Sequence, residues 1–172
     1  KPNLFFQLNL PDKKLGQIIK EVGPVSIINA SGPASVGDSI LNPSMDFYGS
    51  VGVNFSVLET IRTVLPDAKY LMLSSAAVYG NPVSLPIRES HTLNPISPYG
   101  YHKVMVETLI EEYCNVYGLH TCSARIFSVY GPGLKKQILW DIYKKSGKDM
   151  PISLFGTGEE SRDFIFVQDI AH

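Results

Sequence analysis

YLMLSSAAVYG, residues 70–80, runs from a short apolar segment (YLMLS) into Ser75, two alanines and a closing turn at Gly80. An apolar run this short, bounded by turn residues, reads as a buried strand. VSIINA (residues 25–30) and CSARIF (residues 122–127) have the same character. Between them, residues 46–65 and 98–117 are long enough for crossover helices, the first closed by Pro66 and the second by Gly118. Strand and helix in alternation predict an α/β fold built from βαβ units around a parallel sheet. The second helix is the better marked, with Ser97 as its cap and Pro98 in its first turn. Glu107, Glu111 and Glu112 give it a polar face opposite Val104, Leu109, Ile110 and Tyr113.

After Phe127 the punctuation changes to Gly131-Pro132-Gly133, a predicted helix over residues 134–145, and a loop through Gly156 and Gly158. This divides the chain into a principal domain, residues 1–130, and the start of a smaller lobe, residues 131–172. In open α/β sheets ligands sit beyond the carboxyl ends of the strands, so the segments after Ala30, Ser74 and Phe127 are expected to face one crevice.

The 172 residues carry 15 basic and 16 acidic side chains with no block of like charge, which argues against nucleic-acid and anionic-membrane partners and for a small ligand. Cys114 and Cys122 lack CxxC spacing, and a secreted disulfide scaffold carries more cysteines, so a reducing cytoplasm is expected. No apolar run approaches the roughly 20 residues that span a bilayer. His91, His102, His120 and His172 have no ligand spacing, so no metal is expected and each reads as solvated or locally bonded. Cys122, inside a predicted strand, reads as a small core residue. The chain opens without Met and reads as part of a longer protein.

Tyr99 and Lys103 stand four apart on the predicted helix, which sets both on one face. A phenol is a poor base at neutral pH, and an adjacent ammonium stabilises its phenolate. Bringing it from about 10 to about 7 takes roughly 4 kcal/mol of differential stabilisation. Taken alone the YxxxK spacing is common in a chain with nine tyrosines. Ser75 narrows the reading, because it ends a strand where its hydroxyl can enter the same crevice and bond the oxygen that Tyr99 protonates. Its competing role is to satisfy backbone groups at the strand end.

Five segments in order resemble the extended short-chain dehydrogenase/reductase superfamily, the NAD-dependent epimerase/dehydratase family that includes UDP-galactose 4-epimerase. They are INASGPASVGDS (28–39), SSAAVYG (74–80), PISPYGYHK (95–103), RIFSVYGPG (125–133) and GTGEESRDFIFVQDIA (156–171). The resemblance implies a Rossmann-type doubly wound sheet, with residues 1–130 as a partial NAD(P)-binding domain and residues 131–172 opening the substrate-binding lobe. It also implies NAD as cofactor, with NADP as the alternative, a nucleotide-sugar substrate, and a homodimer paired through two long helices. By the same resemblance Ser75, Tyr99 and Lys103 are catalytic. Asn9, Leu10, Ala30, Ser31 and Ser74, with Tyr99 and Lys103, line the cofactor, and Ser75, Ser128 and Arg162 meet the substrate. Arg162 has a competing reading as a surface ion pair with Asp163 or a nearby Glu.

Several positions depart from the family pattern. The phosphate-binding GxxGxxG turn is absent, and residues 1–10 resemble the end of the family's third strand, so about fifty to sixty residues are expected upstream. Asn9 stands where an Asp is usual, Gly52 where an Asn is usual, and Ser128 replaces the Asn of the FNVYG motif. Family dehydratases place Asp-Glu directly after the reactive Ser or Thr, whereas this chain has Ala76 and Ala77. A redox cycle at one carbon remains, read first as 4-epimerisation and second as reduction of a keto-sugar nucleotide. A non-catalytic dinucleotide-binding member is the reading from another class.

Overall fold

The computed structural model describes residues 3–146, 151–154, 156–159 and 161–172. They form two compact units, Lys1–Arg125 and Ile126–His172. In the first unit α1 (Lys14–Val22) leads into strand β1 (Ser26–Asn29), followed by the short helices α2 (Val36–Leu41) and α3 (Pro43–Phe47). A π turn over Tyr48–Gly52 joins α3 to α4 (Val53–Val64), so the helix expected over residues 46–65 is broken near its start. Strand β2 (Lys69–Ser75), a 3-10 turn (Ala76–Tyr79), α5 (Pro98–Tyr117) and β3 (Thr121–Ile126) follow.

The strand order is β1-β2-β3, with β1 and β2 parallel in the register Ser26 to Lys69 through Asn29 to Met72. Alternate β2 residues Tyr70, Met72 and Ser74 are buried, which is the period-2 signature of a strand packed on one side. Helix α4 answers with Val53, Val57, Leu58 and Ile61, and α5 with Val106, Ile110 and Tyr113. Full burial of such a side chain stabilises by about 1.5–3 kcal/mol. Helix α5 keeps its expected ends: Ser97 Oγ accepts the Gly100 N–H at 3.2 Å, Pro98 occupies the first turn, and Gly118 closes the helix at φ 70°.

A buried polar cluster pins the end of β1. Asn29 Nδ2 donates to Tyr70 Oη at 2.8 Å and to Asn54 Oδ1 at 3.1 Å, and Tyr70 donates to Asn54 Oδ1 at 2.7 Å. Asn54 Nδ2 in turn donates to the Ser50 carbonyl inside the π turn at 2.8 Å. Burial pushes the Tyr70 phenol up to about 12, so the cluster stays neutral.

Three sequence expectations change. Residues 3–9 carry no regular element. Cys122 is exposed rather than in the core, because its side of β3 opens into a concavity of about 290 Å³ that Cys114 also lines. Glu107 leaves the polar face of α5: its side chain is only 9% exposed and is paired with Arg125. The second unit pairs β4 (Ser128–Tyr130) in parallel with β5 (Phe164–Phe166), and carries α6 (Gln137–Lys145) and α7 (Val167–Ala171).

Candidate functional site

Strand β2 ends at Ser75, whose extended backbone (φ −147°, ψ 149°) delivers the chain into the 3-10 turn. Its Oγ accepts the Ala77 N–H at 3.2 Å and also interacts with the Tyr99 phenol. The backbone role and the role toward Tyr99 are therefore filled by one hydroxyl. Helix α5 brings Tyr99 and Lys103 to the same place, with Lys103 Nζ 5.6 Å from the Tyr99 ring centroid. Lys103 is 6% exposed, and its ammonium donates to the Leu73 carbonyl of β2 at 3.0 Å. Tyr99 is further fixed from its backbone, since its N–H donates to Ser39 Oγ of α2 at 3.1 Å.

Electrostatics around the trio differ from the simple expectation of a phenol lowered by lysine. Burial raises Tyr99 above its ordinary value near 10, the Ser75 interaction lowers it, and the Asp46 carboxylate raises it again. Burial lowers Lys103, opposed by the charges of Asp46 and then Glu107. Removing a phenol and an ammonium from water disfavours the charged form of each, so both are held in their neutral direction by the same desolvation.

The other sequence candidates fall into separate places. Ser31 N–H and Oγ both donate to Asn29 Oδ1, at 3.0 and 2.6 Å, so the polar cluster under β1 shapes the loop that carries Ala30 and Ser31. Both residues are exposed at the strand end. Ser74 points the other way: it is 5% exposed and its hydroxyl donates to Glu107 Oε1 at 2.5 Å. Asn9 is exposed, while Leu10 packs against the core. Ser128 lies in β4 and Arg162 is exposed just before β5, both in the second unit.

Two residues gain roles that the sequence did not assign. His102 is buried, not solvated, and its Nδ1 lies 2.5 Å from Asp46 Oδ2 across 56 positions of sequence. Glu107 accepts both Ser74 and a forked contact from Arg125. Partners this far apart leave no periodic signal. Among the described residues no helix is long and apolar enough to cross a membrane, and no group of three or more His, Cys, Asp or Glu is placed to hold a metal ion.

Residues 2–172 match the model of the NAD dependent epimerase/dehydratase family. A putative UDP-glucose 4-epimerase of Methanocaldococcus jannaschii is 32% identical over 171 residues, covering 97% of this chain and 56% of the relative. The UDP-glucose 4-epimerase of Thermus thermophilus, solved in complex with NAD, superposes with a TM-score of 0.85 at 28% identity, over 97% of this chain and 57% of that one. The UDP-glucuronic acid 4-epimerase of Bacillus cereus gives a TM-score of 0.86 at 24% identity, over 95% of this chain and 51% of that one, which is a likeness of fold. The chain spans about half the length of the curated relatives it matches.

Proposed function

Because the chain belongs to the NAD dependent epimerase/dehydratase family, we propose that the protein containing it is a sugar-nucleotide 4-epimerase in which Ser75, Tyr99 and Lys103 carry the chemistry. The observation that carries this reading is the meeting of Ser75, at the carboxyl end of β2, with Tyr99 and Lys103 at the start of α5. UDP-sugars are the substrate class that the relatives' names support. The first unit then supplies the dinucleotide-binding part, with Ala30 and Ser31 in the loop beyond β1, and the second opens the sugar-nucleotide lobe with Ser128 and Arg162.

The donor set fits a nicotinamide nucleoside: a phenol, a serine hydroxyl, and an ammonium whose three donors include the one given to Leu73, which suits the ribose hydroxyls. When bound, the nicotinamide supplies the hydride acceptor and donor. Tyr99 Oη takes the proton from the sugar hydroxyl and later returns it to the same oxygen. Ser75 Oγ donates a hydrogen bond to that oxygen and holds it against Tyr99. Lys103, 5.6 Å from the Tyr99 ring, opposes the charge that grows on the phenolate, and the Ser75 contact acts against the burial that raises Tyr99.

Ala76 and Ala77 follow Ser75 directly, where loss of water would need an acid and a base. Epimerisation asks only for the trio. Incubating the full-length protein with UDP-glucose, dTDP-glucose and GDP-mannose and analysing products by mass spectrometry tests the reading. A product of unchanged mass and altered retention is expected, while loss of one water at enzymatic rates would overturn it. Gain of two hydrogens from a keto-sugar alone would favour the reductase. We also propose a homodimer, since Tyr101, Met105, Val116 and Tyr117 of α5 and Phe55 of α4 leave apolar surface exposed. Light scattering of the full-length protein at micromolar concentration decides it.

A further inference from the structure

Asp46 is a carboxylate taken almost wholly out of water, 2% exposed, in the short helix α3 that packs on α5. One oxygen, Oδ2, meets His102 Nδ1 at 2.5 Å, and the other, Oδ1, is buried without a hydrogen-bond partner among the described residues. The Phe47 ring stands edge-on to the imidazole at 5.4 Å and closes the site from the α3 side. A buried carboxylate costs several kcal/mol of desolvation, so its retention calls for a compensating charge within reach. His102 directly precedes Lys103, which is 6% exposed and has the complementary problem.

The other ionisable groups on the elements packed around this end of α5 are occupied or distant in solvent. Asp38 of α2 is exposed, and Tyr48 of the π turn is 70% exposed. Tyr79 of the 3-10 turn takes the Arg125 guanidinium, and Glu107 of α5 is gripped by the same arginine. Lys69 of β2 is exposed, Tyr70 belongs to the asparagine cluster, and Tyr101 of α5 is half-exposed. Asp46 is left as the buried carboxylate with an unsatisfied oxygen on the face of α3 packed against α5, where its partner His102 directly precedes Lys103. The charges of Asp46 and then Glu107 favour protonated Lys103 against the burial that lowers it.

We propose that Asp46, held by His102, is the buried counter-charge of Lys103, a positioning residue that keeps the ammonium charged inside the fold. The inference rests on the reading of Tyr99 and Lys103 as the reactive pair. The same charge opposes the Tyr99 phenolate.

The test is an NMR titration of the full-length protein labelled with 13C-lysine and 13Cζ-tyrosine, the two signals assigned by their loss in Lys103→Met and Tyr99→Phe. Asp46→Asn is expected to weaken proton binding at Lys103 about tenfold or more, a drop of about one pH unit in its midpoint, with Tyr99 moving the same way. Glu107→Gln is expected to move Lys103 less, and His102→Gln, which leaves the carboxylate in place, to move it less than about threefold. A Lys103 midpoint unmoved in folded Asp46→Asn, or moved as far by His102→Gln, overturns the proposal. Asp46→Ser provides the same reading if the asparagine variant loses its far-UV circular dichroism. Loss of fold in both makes the carboxylate purely structural and also overturns it. None of these readouts needs turnover: a parent protein without epimerase activity sinks the proposed function alone, and an active one with an unmoved Lys103 sinks the counter-charge alone.

Discussion

Arg125 grips both carboxylate oxygens of Glu107, with Nε 3.1 Å from each and Nη2 2.8 Å from Oε2. The same guanidinium donates through Nη1 to Tyr79 Oη at 2.7 Å and to the Glu89 carbonyl at 3.0 Å. Glu107 also accepts the Ser74 hydroxyl, so one ion pair ties β3 and α5 to the strand end and to the turn that follows Ser75. Bidentate geometry and low exposure, 23% and 9% for the two side chains, set it apart from an ordinary surface pair.

Arg125→Met should therefore cost about 2–4 kcal/mol, because it strands a largely buried carboxylate, whereas the double variant Arg125→Met/Glu107→Gln should recover part of that loss. Urea denaturation of the three variants beside the wild type measures it. Additive losses would mean that the pair does not act as a unit.

Tyr99→Phe removes the proton-transfer hydroxyl and keeps the ring that packs beside Lys103. In the full-length protein turnover should fall 100-fold or more, with nicotinamide nucleotide affinity changed by less than about threefold. Steady-state kinetics and calorimetry read the two separately, and unchanged turnover removes Tyr99 from the chemistry.

Glu59 predicts an acid-sensitive contribution to stability. Arg62 donates to both its oxygens at 2.8 and 2.9 Å and Tyr113 donates to Oε1 at 2.7 Å, which holds the carboxyl down at about 2. A carboxyl lowered by folding contributes stability that is full above its ordinary value of 4.5 and is lost as pH falls toward about 2. The side chain is 35% exposed, so solvent screening keeps this contribution under about 1 kcal/mol. Glu59→Gln should lose less stability than wild type between pH 6 and pH 3 in urea titrations; parallel losses would refute the assignment.

The parts of the molecule that were legible in the sequence are those whose signals are local. Strand β2 and helix α5 follow from an apolar run and from Ser97, Pro98 and Gly118, and both stand where those residues put them. Helix α1 had its own signal, with Leu15, Ile19 and Val22 at helical spacing before Gly23, yet its charged surroundings hid it. The π turn depends on Asn54, whose side chain reaches the Ser50 carbonyl while serving Asn29 and Tyr70. No periodicity encodes a side chain shared in that way. Asp46 and His102 were invisible for the same reason: each looks polar on its own helix, and only the packing of α3 on α5 buries them together. The meeting of Ser75, Tyr99 and Lys103 was legible because two lie one helical turn apart and the third ends a strand.

Gly100, directly after Tyr99, carries the last prediction. In a helix interior alanine is better than glycine by about 1 kcal/mol, so propensity alone favours Gly100→Ala. The site argues the other way: a Cβ there would stand 2.7 Å from the Ala77 carbonyl oxygen and 2.9 Å from Pro95 Cβ. Ala77 sits in the 3-10 turn that Ser75 caps, and Gly100 donates its N–H to Ser97 at the start of α5. The added methyl must push the turn and the helix apart, and these are the two elements that bring Ser75 to Tyr99. Backbone oxygen cannot swing aside as a flexible side chain would, so the strain falls on the reacting geometry. Gly100→Ala should therefore lower turnover at least tenfold in the full-length protein, while its urea midpoint falls by less than that of Gly80→Ala. At Gly80 the φ of 60° and the Asn94 carbonyl penalise the methyl together. Wild-type turnover in Gly100→Ala would show that the close approach of turn and helix does not set the Ser75–Tyr99 geometry.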